Sequence, residues 1–120
     1  MTKVHATKNL SYIRFLKMID TFDNIKSADQ LDSIEESLLD HIALTKFKDQ
    51  EMLVMDLIGL ESLGSKATLH KRIKKLVIKG YIQLIIDTQD ERKKNVVLTP
   101  KAYRYYERLS QLIDKVAKVR

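Results

Sequence analysis

The sequence predicts a mainly α-helical protein that carries one small β-hairpin, an α+β architecture. Only 3 Gly and 1 Pro occur in 120 residues, which is too few for many long loops and favours helices. Apolar residues recur every third or fourth position through most of the chain, as they do on one face of a helix. After Gly80 the period changes to two, and this change predicts strands.

Composition and length limit the class of protein. Hydrophobic residues make up 44% and charged residues 32% of the chain, which is enough for one domain with a core and a charged surface. No apolar run approaches the roughly 20 residues that a membrane-spanning helix needs, and the N-terminus has no apolar export signal. The chain has no Cys, as is compatible with a reducing compartment. We therefore expect a cytoplasmic protein with no membrane contact.

Charge is divided unevenly along the chain. Residues 1–64 carry 7 Lys and Arg against 11 Asp and Glu, a net charge of −4. Residues 65–120 carry 15 against 5, a net charge of +10. Lysine-rich runs are often only solvated faces, but an asymmetry of this size also indicates a surface that binds a polyanion.

Three helices are predicted in the acidic half. The first runs from about Asn9 to Ile25, and the second starts at Ser27 or Asp29 and runs to about Leu44. Acidic residues of the second helix are expected to face outward; they are Asp32, Glu35, Glu36 and Asp40. Asp49 is expected to cap a third, shorter helix that ends near Ile58, and a turn from Gly59 to Gly64 follows.

The fourth predicted helix is basic and amphipathic. Ser65 is a favourable cap, and Gly80 ends the helix. Leu69, Ile73 and Leu76 fall on one face, whereas the opposite face is almost entirely cationic or small. A short helix, a Gly-containing turn and a capped basic helix follow one another in the order of a helix-turn-helix.

A charged hairpin follows the basic helix. Its strands are predicted around Ile82–Ile86 and Asn95–Leu98, with a polar link over residues 87–94. Arg92, Lys93 and Lys94 near the tip are placed to reach a sugar-phosphate backbone, and Arg92 also suits a minor groove. Asp90 stands two residues before Arg92, so an ion pair with a purely structural role is the alternative for Arg92.

The last predicted helix starts at Thr99-Pro100, where Thr is the cap and Pro the first helical residue. Its apolar stripe is long enough to pair with a second copy or with the first helix of the same chain. We therefore divide the chain into an N-terminal helix (1–28), a winged helix-turn-helix domain (29–99) and a C-terminal helix (100–120). The two terminal helices are the candidates for homodimerisation.

The segment from Ser65 to Thr99 resembles the winged helix-turn-helix transcriptional regulators of the MarR type. Those proteins show a Ser-x-x-Thr recognition helix, a Leu-x-x-x-Gly-x-Ile exit and an Asp-x-Arg wing before Leu-Thr. The matching positions are Ser65 and Thr68, Leu76, Gly80 and Ile82, Asp90 and Arg92, and Leu98 and Thr99. The resemblance covers about residues 30–105. It implies a cytoplasmic homodimer that binds pseudo-palindromic double-stranded DNA, with the basic helix in the major groove and the wing beside it.

We expect a sequence-specific DNA-binding regulator that represses by occluding a promoter. The residues expected to contact base edges are Thr68, Lys71, Arg72 and Lys75. Those expected to contact the DNA backbone are Ser65, Lys66, Lys74, Arg92 and Lys93. His70 and Lys94 complete the predicted DNA-binding set. A winged-helix module that docks on a protein, or a phage or plasmid replication-control protein, is the alternative.

No enzyme, metal site or cofactor is predicted. His5, His41 and His70 lie in three separate segments, without a spacing that places two ligands on one helical face. The chain has no Gly-rich phosphate loop and no Gly-x-Ser-x-Gly motif. The sequence does not identify an effector ligand.

Overall fold

A computed structural model of the protein describes residues 10–117. It contains five helices and two strands in this range: α1 (Ser11–Ala28), α2 (Ser33–Phe47), α3 (Val54–Ile58), α4 (Lys66–Ile78), β1 (Ile82–Ile86), β2 (Lys94–Leu98) and α5 (Pro100–Ala117). The predicted mainly α-helical fold with one antiparallel hairpin is confirmed. His5 and the predicted helix start at Asn9 lie outside the described residues. Between residues 10 and 117, no helix is long and apolar enough to cross a membrane.

The described chain divides into two compact units. One unit is Leu31–Arg104, and the other combines residues 10–30 with residues 105–117. The core of the Leu31–Arg104 unit consists of apolar side chains contributed by every helix of that unit and by both strands. Its members include Leu38, Leu39, Ile42, Leu57, Leu69, Ile73, Leu76, Tyr81, Ile82, Val96 and Ala102, each at most 5% exposed.

Helix α2 starts later than predicted. Helix α1 continues to Ala28, and the Asp29 N–H still donates to the Ile25 carbonyl at 3.0 Å, so the predicted start at Ser27 or Asp29 is wrong. The cap is Asp32, whose carboxylate accepts from the Glu35 N–H at 2.8 Å, while the Glu35 carboxylate accepts from the Asp32 N–H at 2.9 Å. This reciprocal pair satisfies two N–H groups that the helix leaves unpaired.

Helix α3 also starts later than predicted, because the residues before it form extended structure. Asp49 has φ of 56° and does not cap the helix, which begins at Val54. The Met52 carbonyl accepts from the Val96 N–H at 2.8 Å, and Leu53 forms an isolated antiparallel bridge with Asn95. The segment before α3 therefore lies along the free edge of β2.

The hairpin is anchored at the end of α4. Strands β1 and β2 pair with Ile82 opposite Leu98 and Leu84 opposite Val96. The Thr99 N–H donates to the Tyr81 carbonyl at 3.1 Å, and the Thr99 hydroxyl donates to the Gly80 carbonyl. The Thr99 hydroxyl also accepts from the Ala102 N–H at 3.3 Å, which confirms the predicted cap of the last helix. One threonine thus links α4, the hairpin and α5.

Replacing Gly80 by Ala is expected to destabilise the fold by about 1–2 kcal/mol, because a Cβ is disfavoured at positive φ. Gly80 has φ of 86° directly after α4. Gly59→Ala is the matched control: Gly59 has φ of −77° and an added Cβ meets its nearest atoms at 3.5 Å, an ordinary contact. Urea denaturation measures both changes. Equal free energies of unfolding for the two variants would contradict the prediction.

Candidate nucleic-acid interface

Helix α4 turns one face to the core and presents the other to solvent. At its start, the Thr68 N–H donates to the Ser65 hydroxyl oxygen at 3.1 Å, and the Ser65 hydroxyl donates to the Thr68 hydroxyl at 2.9 Å. Leu69, Ile73 and Leu76 are all at most 2% exposed. Because these three residues share one face, packing determines which side chains point outward.

The outward face of α4 is cationic. Lys71, Lys74 and Lys75 are exposed on this face, Lys66 is exposed in the first turn, and the helix contains no acidic residue. The spacing of three or four residues places Lys71 and Lys74, or Lys71 and Lys75, one turn apart. This arrangement produces a positive ridge of the kind that binds phosphate-rich surfaces.

One border of α4 faces the start of α2. The Arg72 guanidinium lies 2.8 Å from the Asp32 carboxylate, and the Lys79 ammonium lies 2.7 Å from the Glu35 carboxylate. The predicted outward position of Glu35 is wrong, because its residue is 0% exposed. Asp32 and Arg72 keep side-chain exposures of 39% and 33%, so that pair is in contact with water. Two ion pairs therefore join α4 to α2.

The other border of α4 faces α3 and the hairpin of β1 and β2, which is the wing of this fold. His70 lines a recess of about 190 Å³ together with Arg92, Lys93 and Lys94 of the wing. Apolar side chains from α3 and the residue before it form the remaining wall. The recess thus brings together four of the predicted DNA-binding residues, because His70 meets three consecutive wing residues that follow it by more than 20 positions.

The wing tip is ordered by two carboxylates. The Asp87 carboxylate accepts from the Gln89 N–H at 2.7 Å and from the Asp90 N–H at 3.3 Å. The Asp90 carboxylate accepts from Arg92 twice, from the side-chain Nε at 3.2 Å and from the backbone N–H at 3.1 Å. These bonds to Arg92, aided by the charge of Lys93, hold the pKa of Asp90 below its usual range. The Arg92 side chain is nevertheless 92% exposed, so its guanidinium is accessible to a ligand.

The structure sorts the predicted site residues into three groups. Ser65 and Thr68 form the helix cap, Lys71, Lys74 and Lys75 form the outward ridge with Lys66 exposed in the first turn, and His70, Arg92, Lys93 and Lys94 line the recess. Arg72 stands apart because it is paired with Asp32. The sequence does not identify Asp32 and Glu35 as partners of α4. Their Asp-x-x-Glu spacing predicts a capping box, but no local pattern indicates that the distant cations Arg72 and Lys79 are their partners.

The described residues contain no evident metal centre. Among residues 10–117, no group of three or more His, Asp or Glu side chains is arranged to hold a metal ion.

Comparisons with known proteins identify similar folds. No protein-family model matches the sequence, and no curated protein matches it either. The structure of S. aureus MepR in a DNA complex has a TM-score of 0.71 and 18% identity, over 91% of this chain and 78% of that one. The haem sensor protein PefR from Streptococcus agalactiae, in complex with haem, has a TM-score of 0.59 and 18% identity, over 88% and 71%. The predicted winged helix-turn-helix fold is thereby confirmed, and it is the fold of MepR.

Proposed function

We propose that this chain is a cytoplasmic, sequence-specific regulator of transcription that binds double-stranded DNA and represses by occluding a promoter. One observation carries the proposal: the cationic outward face of α4 and the cations of the wing belong to the same unit, and His70 at the border of α4 lines one recess with Arg92, Lys93 and Lys94. A helix with this face suits a major groove, and a wing beside it suits the adjacent backbone or minor groove. The MepR structure with the same fold contains DNA.

In this proposal, the residues of α4 have different roles. Lys71 and Lys75, with Thr68 beside them, are the candidates for base edges because they lie on or beside the outward face. Ser65, Lys66 and Lys74 position the helix on the backbone, as do Arg92 and Lys93 of the wing. Arg72 reaches a base only if it exchanges its Asp32 partner for DNA.

A homodimer is part of the proposal. No residue of α1 is buried, and its apolar side chains include Tyr12 at 66%, Phe15 at 43% and Leu16 at 43% exposure. An exposed apolar surface along a helix of 18 residues favours burial against a second copy. Two copies related by a two-fold axis would present two α4 helices to a pseudo-palindromic site.

The decisive experiment is selection from a random-sequence duplex library, sequenced after binding at two salt concentrations. We expect an inverted repeat whose half-sites lie about one helical turn apart. Binding that vanishes at the higher salt with no enriched sequence would contradict sequence-specific regulation. Failure to bind duplex DNA at either salt would favour a module that docks on a protein.

Replacing Asp32 by Ser is expected to raise the affinity for DNA by about 2- to 10-fold, for all sequences. Serine is also a favourable helix cap, so α2 keeps its start while Arg72 loses its partner and one negative charge leaves the border of α4. The free energy of unfolding should change by less than about 1 kcal/mol, because the pair is partly exposed.

Fluorescence anisotropy with labelled duplexes measures the affinity of the Asp32→Ser variant. The control is Asp40→Ser, which removes one charge from the exposed part of α2. Weaker binding by the Asp32 variant would contradict the prediction, and would mean that Asp32 orients Arg72 for its contact with DNA.

A further inference from the structure

We propose that the recess between α3, α4 and the wing holds one backbone phosphate of duplex DNA, and that His70 is a ligand of that phosphate in its protonated form. This inference rests on the proposed function and deepens it. It assigns a phosphodiester to one defined place, and it makes DNA affinity depend on pH.

His70 lies at the border of α4 that faces the wing. On α4, His70 lies about 100° from Leu69 and therefore at the border of the core face, on the side opposite Arg72. His70 is exposed, and it lines the recess with Arg92, Lys93 and Lys94. The outward lysines of α4 face away from the core, whereas His70 faces the wing. In the proposed complex, a DNA strand that contacts both α4 and the wing passes this position.

The size and lining of the recess suit a sugar-phosphate unit. Its volume of about 190 Å³ equals the share of roughly six water molecules, which is room for a phosphate group. Met55 of α3 is 72% exposed and adds apolar surface at the same wall, where a deoxyribose can pack. Cations on one side and apolar surface on the other suit a sugar-phosphate unit better than a free inorganic anion.

The charged side chains that line the recess with His70 are all cationic. The wing contributes Arg92, Lys93 and Lys94 to the recess, and the α3 residues that line it carry no charge. On α4 itself, Lys66 and Lys74 lie one turn away from His70 on either side. Asp90 is bonded to Arg92, and the Asp56 carboxylate accepts from the Leu53 N–H at 3.0 Å. No carboxylate lines the recess among the described residues. A DNA phosphate is then the anion that stabilises the imidazolium, and binding takes up a proton.

The test measures binding to a labelled mixed-sequence duplex by anisotropy, from about pH 6 to about pH 8. A mixed sequence is sufficient because a phosphate contact does not depend on the bases. We expect the unaltered protein to bind about 5- to 10-fold more tightly at the lower pH, which is within the roughly hundredfold that one linked proton permits over two pH units. The slope of log K against log salt should also steepen by about 0.9 at the lower pH.

Three variants separate His70 from other titrating groups. His70→Gln should bind with nearly constant affinity across this range, close to that of the unaltered protein at high pH. His70→Lys should keep the tighter affinity at both ends, because its charge is permanent here. His41→Gln, which changes an exposed histidine of α2 outside the recess, should behave as the unaltered protein does.

The outcomes distinguish this inference from the function on which it rests. If the unaltered protein binds DNA equally at all pH values, or if His70→Gln keeps the pH dependence, the phosphate is not held by His70 and the inference is wrong. If the unaltered protein does not bind duplex DNA at any pH, the proposed function fails and the inference fails with it.

Discussion

Replacing Lys79 by Met is expected to destabilise the fold by about 3–5 kcal/mol, the largest effect of any single change considered for this protein. The Lys79 ammonium lies 2.7 Å from the carboxylate of Glu35, a residue that is 0% exposed. Without that ammonium, the buried carboxylate keeps the Asp32 N–H as a donor but has lost its cationic partner. Urea denaturation of the variant measures the loss as a lower midpoint.

Companion variants show whether the cost arises from the stranded charge. Glu35→Gln should cost less, about 1–2 kcal/mol, because its amide oxygen can still accept from the Asp32 N–H. Combining Lys79→Met with Glu35→Gln should restore part of the stability that Lys79→Met loses, since the double variant buries no unpaired charge. Strictly additive losses would show that the two residues act independently, and would contradict this explanation.

Reversing the charge of Lys71 and Lys74 together is expected to weaken duplex DNA binding by about 100- to 1000-fold at moderate salt. Each reversal removes one cation from the outward face of α4 and adds a negative charge that repels DNA, so the number of released counterions falls by up to about four. Both residues are exposed on α4, and the fold should be retained. Anisotropy at several salt concentrations measures the affinity and its slope, and circular dichroism checks the helix content.

The matched control reverses Lys46 and Lys48 at the end of α2. Both residues are exposed, and their reversal changes the net charge by the same amount on a different part of the unit. We expect a loss of less than about tenfold from long-range charge alone. A similar loss in both double variants would indicate that net charge, rather than the face of α4, governs binding.

The elements that depend on local signals were predictable from the sequence. The basic helix begins after Ser65 and ends just before Gly80 as expected, and the last helix begins at Thr99-Pro100. The start of α3 was not predictable in the same way. Asp49 is a good cap by residue type, but the backbone that follows it extends because Met52 pairs with Val96, 44 residues later. A contact at that distance outweighs a local preference.

The candidate site shows the same division. Periodicity predicts which α4 residues point outward, because three buried apolar residues determine the opposite face. Periodicity cannot indicate which neighbour each border residue meets. Arg72 is next to Asp32 and His70 is next to the wing only because α2 and the hairpin flank α4 on opposite sides. The burial of Glu35 depends on the same packing, and on Lys79 as its partner.

The bonds of Thr99 have a consequence for amide hydrogen exchange. Thr99 ties the base of the hairpin to Gly80 and Tyr81, and the Lys101 ammonium lies 4.6 Å above the centre of the Tyr81 ring. The amides at the base should therefore exchange slowly, whereas those of the tip around Gln89 should exchange quickly, since they are held by side-chain bonds at the exposed surface. The slowly exchanging base can therefore serve as the internal reference for exchange at the tip. A bound duplex would slow exchange at the tip and leave the base unchanged, which locates the contact without any substitution.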